Sequence, residues 1–178
     1  MEHVMIDVEA LRLNQPWIAP LMQVAAIRFD ENGKALGKYF NRFIDQETLP
    51  FWALPEESTL LFWQEQPFYQ TLRDNCSLGT DPETLLQELS GYIDGRIVWF
   101  AGPTYDQVML EAYYDAYGIP RPWKYNYTRD FRTIRKQYPR IYDSVLKNRT
   151  GEHDALCDAF FQVEVLAEIA EVYQKIWR

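Results

Sequence analysis

His3-Val4-Met5-Ile6-Asp7-Val8-Glu9 is an apolar strand that carries two carboxylates at its far end. A strand has a period of two, so Val4, Ile6 and Val8 are expected on one face and Asp7 and Glu9 on the other. Two anions side by side on a buried strand repel each other and resist desolvation, and a divalent cation is the usual remedy. An Asp-x-Glu triplet is common by chance. Its weight here comes from its distant companions: Asp106 beyond a second apolar strand, and His153 with Asp158 where the last helix opens.

Outward from that strand, Pro20 to Asp30 is expected to form a second, closed by the hairpin signal Asn32-Gly33, and Ala35 to Asp45 a third by its alternation. Gln46 to Ser58, with Pro50 and Pro55, is expected to be an exposed loop, and Thr59 to Gln66 a short helix ending at Pro67. Thr80-Asp81-Pro82-Glu83 has the form of a capping box opening a helix that ends near Gly95. Arg96 to Ala101 is a continuous apolar run and predicts a fully buried strand. Gly102-Pro103 breaks it, and Thr104 caps a helix to about Tyr117, stopped by Gly118 and Pro120. A short edge strand at Tyr125 to Arg129 comes next, then a helix from Phe131 to Tyr138, ended by Pro139. The final helix starts near His153 and runs to the C-terminus on a stripe of Leu156, Phe160, Val163, Ala167, Ala170 and Tyr173. Three meandering strands and then alternating helix and strand predict an α/β fold: one domain over 1–178, with a mixed five-stranded sheet and helices on both faces.

Composition narrows the class. At 47% hydrophobic and 16% aromatic over 178 residues, the chain can fill a core and is not disordered. No apolar run approaches the ~20 residues of a membrane span, and no signal peptide precedes the first strand, so no membrane partner is expected. Cys76 and Cys157 are too few for a disulfide framework or a zinc site, which predicts reduced thiols in the cytoplasm. The net charge of −8 argues against a nucleic-acid partner, but its distribution reverses the argument. Arg121, Lys124, Arg129, Arg132, Arg135, Lys136, Arg140, Lys147 and Arg149 face only Asp130 and Asp143 within one segment. Beside a carboxylate cluster, such a segment suits an anionic substrate, with Arg129 and Arg132 as candidate phosphate contacts.

The acids fall at the ends of elements. Asp7 and Glu9 lie on the first strand, Asp106 in the first turn of the helix after the fourth, and Asp158 in the second turn of the last helix. Helices covering a sheet can bring such termini to one edge, where four carboxylates could hold two divalent ions. Asp154 shares a helix face with Asp158 and stays open as an accessory acid. Trp52, Phe62, Trp63 and the tyrosines have faces on which unpaired bases stack, but large aromatics chiefly build cores. Leu11 and Phe62 are kept as candidates for gripping a terminal base.

Three segments together resemble a known family. Met5-Ile6-Asp7-Val8-Glu9, then Trp99-Phe100-Ala101-Gly102-Pro103-Thr104-Tyr105-Asp106, then Gly151-Glu152-His153-Asp154-Ala155-Leu156-Cys157-Asp158-Ala159 are similar, in order, to the three motifs of the DnaQ-like (DEDDh) 3′–5′ exonucleases. The nearest branch contains phage exonuclease A and a mycobacterial 3′–5′ exoribonuclease, whose Asp-x-Arg-Thr segment Asp130-Phe131-Arg132-Thr133 also matches. The resemblance implies a ribonuclease H-like fold and hydrolysis from the 3′ end to nucleoside 5′-monophosphates, on single-stranded or 3′-overhanging nucleic acid. It implies that Asp7 bridges two Mg²⁺ or Mn²⁺ ions, that Glu9 and Asp158 complete the first ion's ligands, that Asp106 holds the second largely through water, and that His153 is the general base. Members of this branch are often dimers, so a homodimer is an expectation. One departure stands out: the family usually has Thr after the first motif's Glu, in contact with the terminal nucleotide, and this chain has Ala10. The alternative is a catalytically silent domain of the same fold that binds nucleic-acid ends or scaffolds a partner. The intact Asp7, Glu9, Asp106, His153 and Asp158 set speaks against it.

Overall fold

Five strands in the order β3-β2-β1-β4-β5 form one mixed sheet in the computed structural model, which describes residues 2–149 and 153–173. The central strand β1 (His3–Ala10) pairs antiparallel with β2 (Leu21–Phe29), which pairs antiparallel with β3 (Phe40–Phe43). On its other side β1 runs parallel to β4 (Ile97–Phe100), and β4 parallel to β5 (Thr128–Asp130). Between β3 and β4 the chain makes α1 (Glu57–Gln64), α2 (Tyr69–Cys76) and α3 (Pro82–Ile93). After β4 come α4 (Val108–Ala116), then α5 (Phe131–Gln137), α6 (Pro139–Leu146) and α7 (Ala155–Tyr173).

The period of β1 divides the core. Val4, Ile6, Val8 and Ala10 pack with Leu85, Leu86, Leu89 and Ile93 of α3 and with Met109, Leu110, Tyr113 and Tyr114 of α4. Met5 faces the other way, with Ile27, Phe29, Trp99 and the α7 side chains Ala159, Val163, Leu166 and Ile169. Each side chain of that size removed from water contributes about 1.5–3 kcal/mol, so a sheet covered on both faces holds β1 firmly in register. Among the described residues no helix is long and apolar enough to cross a membrane.

Several local expectations are corrected. The third strand is shorter than Ala35 to Asp45: Ala35 makes an isolated bridge to Phe29, Gly37 turns the chain at φ 66°, and regular pairing resumes only at Phe40. The α3 cap is Asp81 rather than Thr80, its carboxylate accepting from the Thr84 N–H at 2.9 Å, so the cap lies one residue later than the capping-box reading. Two helices went unread. In α2, Leu72 and Cys76 are four apart and pack with Met22 and Trp63. Pro139 occupies the first turn of α6, where its missing N–H costs nothing, so it starts a helix as well as ending α5. The α7 stripe is turned from the expected one: Val163 and Ala170 are buried, but Phe160 and Tyr173 are 40% and 49% exposed. This helix lies against β1 and β2 on one side and α6 on another, so it is buried over most of its girth and no single stripe describes it. The stretch of that helix expected beyond Tyr173 lies outside the described residues.

Candidate active site

Because β1 and β4 are parallel and Ile6 pairs with Phe100, the carboxyl ends of both strands reach the same edge of the sheet. Open α/β sheets place their sites at that edge. Asp7 and Glu9 stand there on the face that α7 covers. Asp106 arrives in a π-helical turn, Pro103–Gln107, that precedes α4, rather than in a regular helical turn. Asp158 lies in the first turn of α7, not the second, since that helix begins at Ala155. Oxygens from Asp7, Glu9 and Asp158 all lie within 4.8 Å of one another. Asp106, 3% exposed, lines the same cleft of about 480 Å³.

This crowding has an electrostatic signature. Burial, together with the charges of Asp106 and Asp158, pushes the Asp7 carboxyl well above the ordinary carboxylate range. Burial and then Asp7 do the same to Glu9. Asp106 is pushed up to about 7 by burial, with its bond from the Gly102 N–H and the Arg132 charge opposing. Asp158 is raised by burial against the pull of Arg149. Among the described residues, the four acids that burial drives toward their neutral forms have too little positive charge around them.

Each of three acids is nevertheless held by a partner. Gln162 donates from Nε2 to Asp7 Oδ1 at 2.7 Å. The Gly102 N–H donates to Asp106 Oδ2. The Arg132 guanidinium lies close over Gly102: a Cβ at residue 102 would come 2.7 Å from the guanidinium carbon, so a larger residue there would displace the Arg132 side chain. Arg149 pairs with Asp158 and lies 4.6 Å from the centre of the Phe161 ring.

The opening of α7 is clamped to the sheet. Gln23, buried on β2 opposite Glu9, accepts the Ala155 N–H at 3.1 Å and donates to Asp154 Oδ2 at 3.2 Å. Asp154 Oδ1 accepts the Cys157 N–H at 2.9 Å. Each of its oxygens accepts a hydrogen bond that caps the helix or ties it to β2, so the structure gives the acid that the sequence left open a local structural role. His153 immediately precedes this cap at φ 63°, a left-handed conformation uncommon for a residue with a side chain and typical of functional sites. Its ring meets the Phe62 ring edge-on at 5.0 Å and faces the cleft.

The cleft walls separate the remaining candidates. Phe62 and Arg132 line it; Leu11 and Arg129 do not. Leu11 lines a neighbouring cavity of about 380 Å³ with Tyr69, Arg73 and Cys76. Arg129 donates to the carbonyls of Asn126 and Thr128. Part of the basic segment is spent on local structure: Arg121 pairs with Glu111 and Asp115, and Arg135 bonds the Tyr142 hydroxyl. Trp52 packs against Tyr113, and Trp63 is buried with its indole N–H on the Ala10 carbonyl at 2.9 Å. The sequence reading missed Leu13 and Tyr105, which also line the cleft; the Tyr105 hydroxyl holds the loop by donating to the Arg12 carbonyl. It missed Gln162 too, although its spacing of four from Asp158 put it on the same helix face.

The same architecture occurs in solved structures. Exonuclease I of E. coli in complex with a dA16 oligonucleotide superposes with a TM-score of 0.70 at 14% identity, over 97% of this chain and 41% of that one. A moderately thermophilic exonuclease I from Methylocaldum szegediense gives 0.72 at 15% identity, over 98% of this chain and 41% of that one. The chain thus spans about two fifths of these relatives, and at such identity the likeness concerns the ribonuclease H-like fold alone. No curated protein matches the sequence. A family model does, over residues 2–170, and carries all three carboxylate segments with it. On that match the chain belongs to the Rv2179c-like 3′–5′ exoribonuclease domain family.

Proposed function

We propose that this chain is a metal-dependent 3′–5′ exonuclease that releases nucleoside 5′-monophosphates from single-stranded or 3′-overhanging ends by a two-metal mechanism. The observation that carries the proposal is the set of Asp7, Glu9 and Asp158 oxygens within 4.8 Å of one another, under burial that disfavours their charge. All donors are carboxylate oxygens, which suit Mg²⁺ or Mn²⁺, and the cleft walls leave room for a nucleotide. Asp7, Glu9, Asp106 and Asp158 would hold two such ions, which supply an activated water and neutralise charge on the scissile phosphate.

The chain's own residues do the rest. His153, held at the cleft by the Asp154 cap and the edge of Phe62, accepts the proton of the attacking water on its neutral imidazole. Leu13 and Phe62 offer apolar walls to the terminal base, and Arg132 offers charge to a phosphate. Ala10 has only a methyl group where the family has Thr, so its contribution to binding is limited to backbone and packing. The family's description names RNA, while the exonuclease I structures hold DNA oligonucleotides.

Matched RNA and DNA oligonucleotides, labelled at the 5′ end and digested with Mg²⁺ or Mn²⁺, test this directly. A ladder shortening from the 3′ end is expected on at least one of them, and no shortening with either ion would overturn the proposal. His153→Ala is expected to slow the reaction by about 10²–10⁴-fold with Mn²⁺ binding nearly intact. Full activity in that variant would remove His153 from the mechanism.

A further inference from the structure

Gln162 stands out among the buried polar side chains. It lies in the middle of α7 and is buried, one turn beyond Asp158 on the same face. Its Nε2 donates to Asp7 Oδ1 at 2.7 Å, a contact joining the last helix to the first strand across 155 residues of chain. Its Oε1 is also buried and has no hydrogen-bond partner among the described residues. A buried amide with one unmatched acceptor costs folding free energy; an apolar side chain of the same shape would avoid that cost but leave Asp7 Oδ1 without its donor. The amide is therefore only half matched within the fold, and the half that is matched acts on Asp7.

We propose that Gln162 is a positioning residue for the metal centre: its amide ties one oxygen of Asp7 so that the other is presented to the cluster with Glu9 and Asp158. An unrestrained carboxylate beside two other anions would rotate away from them to relieve repulsion. The bond from Gln162 fixes the torsion and makes the acid a pre-arranged ligand. Partners of this kind orient metal-binding carboxylates, and their loss commonly costs about 10–100-fold in metal affinity. The orphaned Oε1, in the same amide and so beside Asp7, is an acceptor for water carried in with a hydrated cation.

This inference rests on the metal-dependent function proposed for the cleft, and its test separates the two. Mn²⁺ binding to metal-free protein is measured by titration calorimetry, alongside the melting temperature in chelator, for wild type, Gln162→Met and Gln162→Leu. A positioning role predicts a Kd raised about 10–100-fold in the folded variants, whatever the lost bond to Asp7 Oδ1 does to their melting temperature. A merely structural glutamine predicts a lower melting temperature with unchanged affinity, and that result overturns the proposal. Failure of both apolar variants to fold overturns it as well, since the amide would then be needed for stability. If wild type itself binds no Mn²⁺, the metal-dependent function falls; if wild type binds and the variants bind equally well, only the role of Gln162 falls.

Discussion

His3 and the Asp7–Glu9 pair sit on the same face of the same strand, four to six residues apart, and burial treats them in opposite ways. His3 is 1% exposed, its Nδ1 accepts the Trp99 indole N–H at 3.2 Å, and its ring stacks on Phe29 at 5.4 Å. Burial pushes its pKa down to about 4, so the imidazole is neutral at physiological pH. Burial pushes Asp7 and Glu9 the other way, and each worsens the position of the other. His3, which serves the fold, is neutral and hydrogen-bonded at Nδ1. A buried group placed for chemistry is left electrostatically unsatisfied until a ligand or a proton completes it.

The sharpest way to break this contrast is to neutralise each end of the strand in turn. Asp7→Asn is expected to abolish nucleolysis: losing several kcal/mol of charge stabilisation, at about 1.36 kcal/mol per decade, amounts to about 10³-fold or more. The melting temperature in chelator should hold or rise, because repulsion within the cluster is relieved. Near-normal turnover under saturating Mn²⁺ would remove Asp7 from the site. His3→Leu is expected to do the reverse, costing about 1–3 kcal/mol through loss of the buried bond from the Trp99 N–H to His3 Nδ1, with kcat unchanged. If it proves neutral in denaturant unfolding, the matched-partner account of His3 is wrong.

Proton linkage gives a third measurement. Asp106 at about 7, and Asp7 and Glu9 well above the ordinary range, bind protons in the folded state that the unfolded chain has already released. Native protons then exceed unfolded ones, so metal-free stability falls as pH rises. His3 works in the opposite direction only between its folded value near 4 and its ordinary value of 6.5, which leaves pH of about 6.5 to 8 as the clean window. Unfolding in chelator across that window should show falling stability, flattened by saturating Mn²⁺ and by Asp7→Asn. A rising or level profile in chelator would mean that the acids are not frustrated.

The smallest effect separates two arginines that the sequence treats alike. Arg132→Glu is expected to weaken single-strand binding and to make its salt dependence shallower by about 0.7 units of log–log slope per lost phosphate contact. Arg129→Glu should leave both nearly unchanged, since its guanidinium is held on backbone carbonyls away from the cleft. Equal losses in filter-binding titrations would restore the whole basic segment as a phosphate track.

What the sequence determined by itself is whatever a local period or a local chemical need writes into neighbouring residues. The two-residue alternation of β1 separates Val4, Ile6 and Val8 from Asp7 and Glu9, as the two core clusters bear out. Glycine and proline at 102 and 103 end β4, and the acids stand at the ends of elements, where helices over a sheet can gather them. Tertiary structure alone decided what meets across long separations. It turned α7 so that Phe160 faces outward while Gln162 reaches Asp7, made Asp154 a cap tied to Gln23, and put Leu13 rather than Leu11 on the cleft wall. The reason is physical: the rotation of a helix buried on several sides is set by the summed packing of elements far apart in sequence, and no local pattern in the chain encodes that sum.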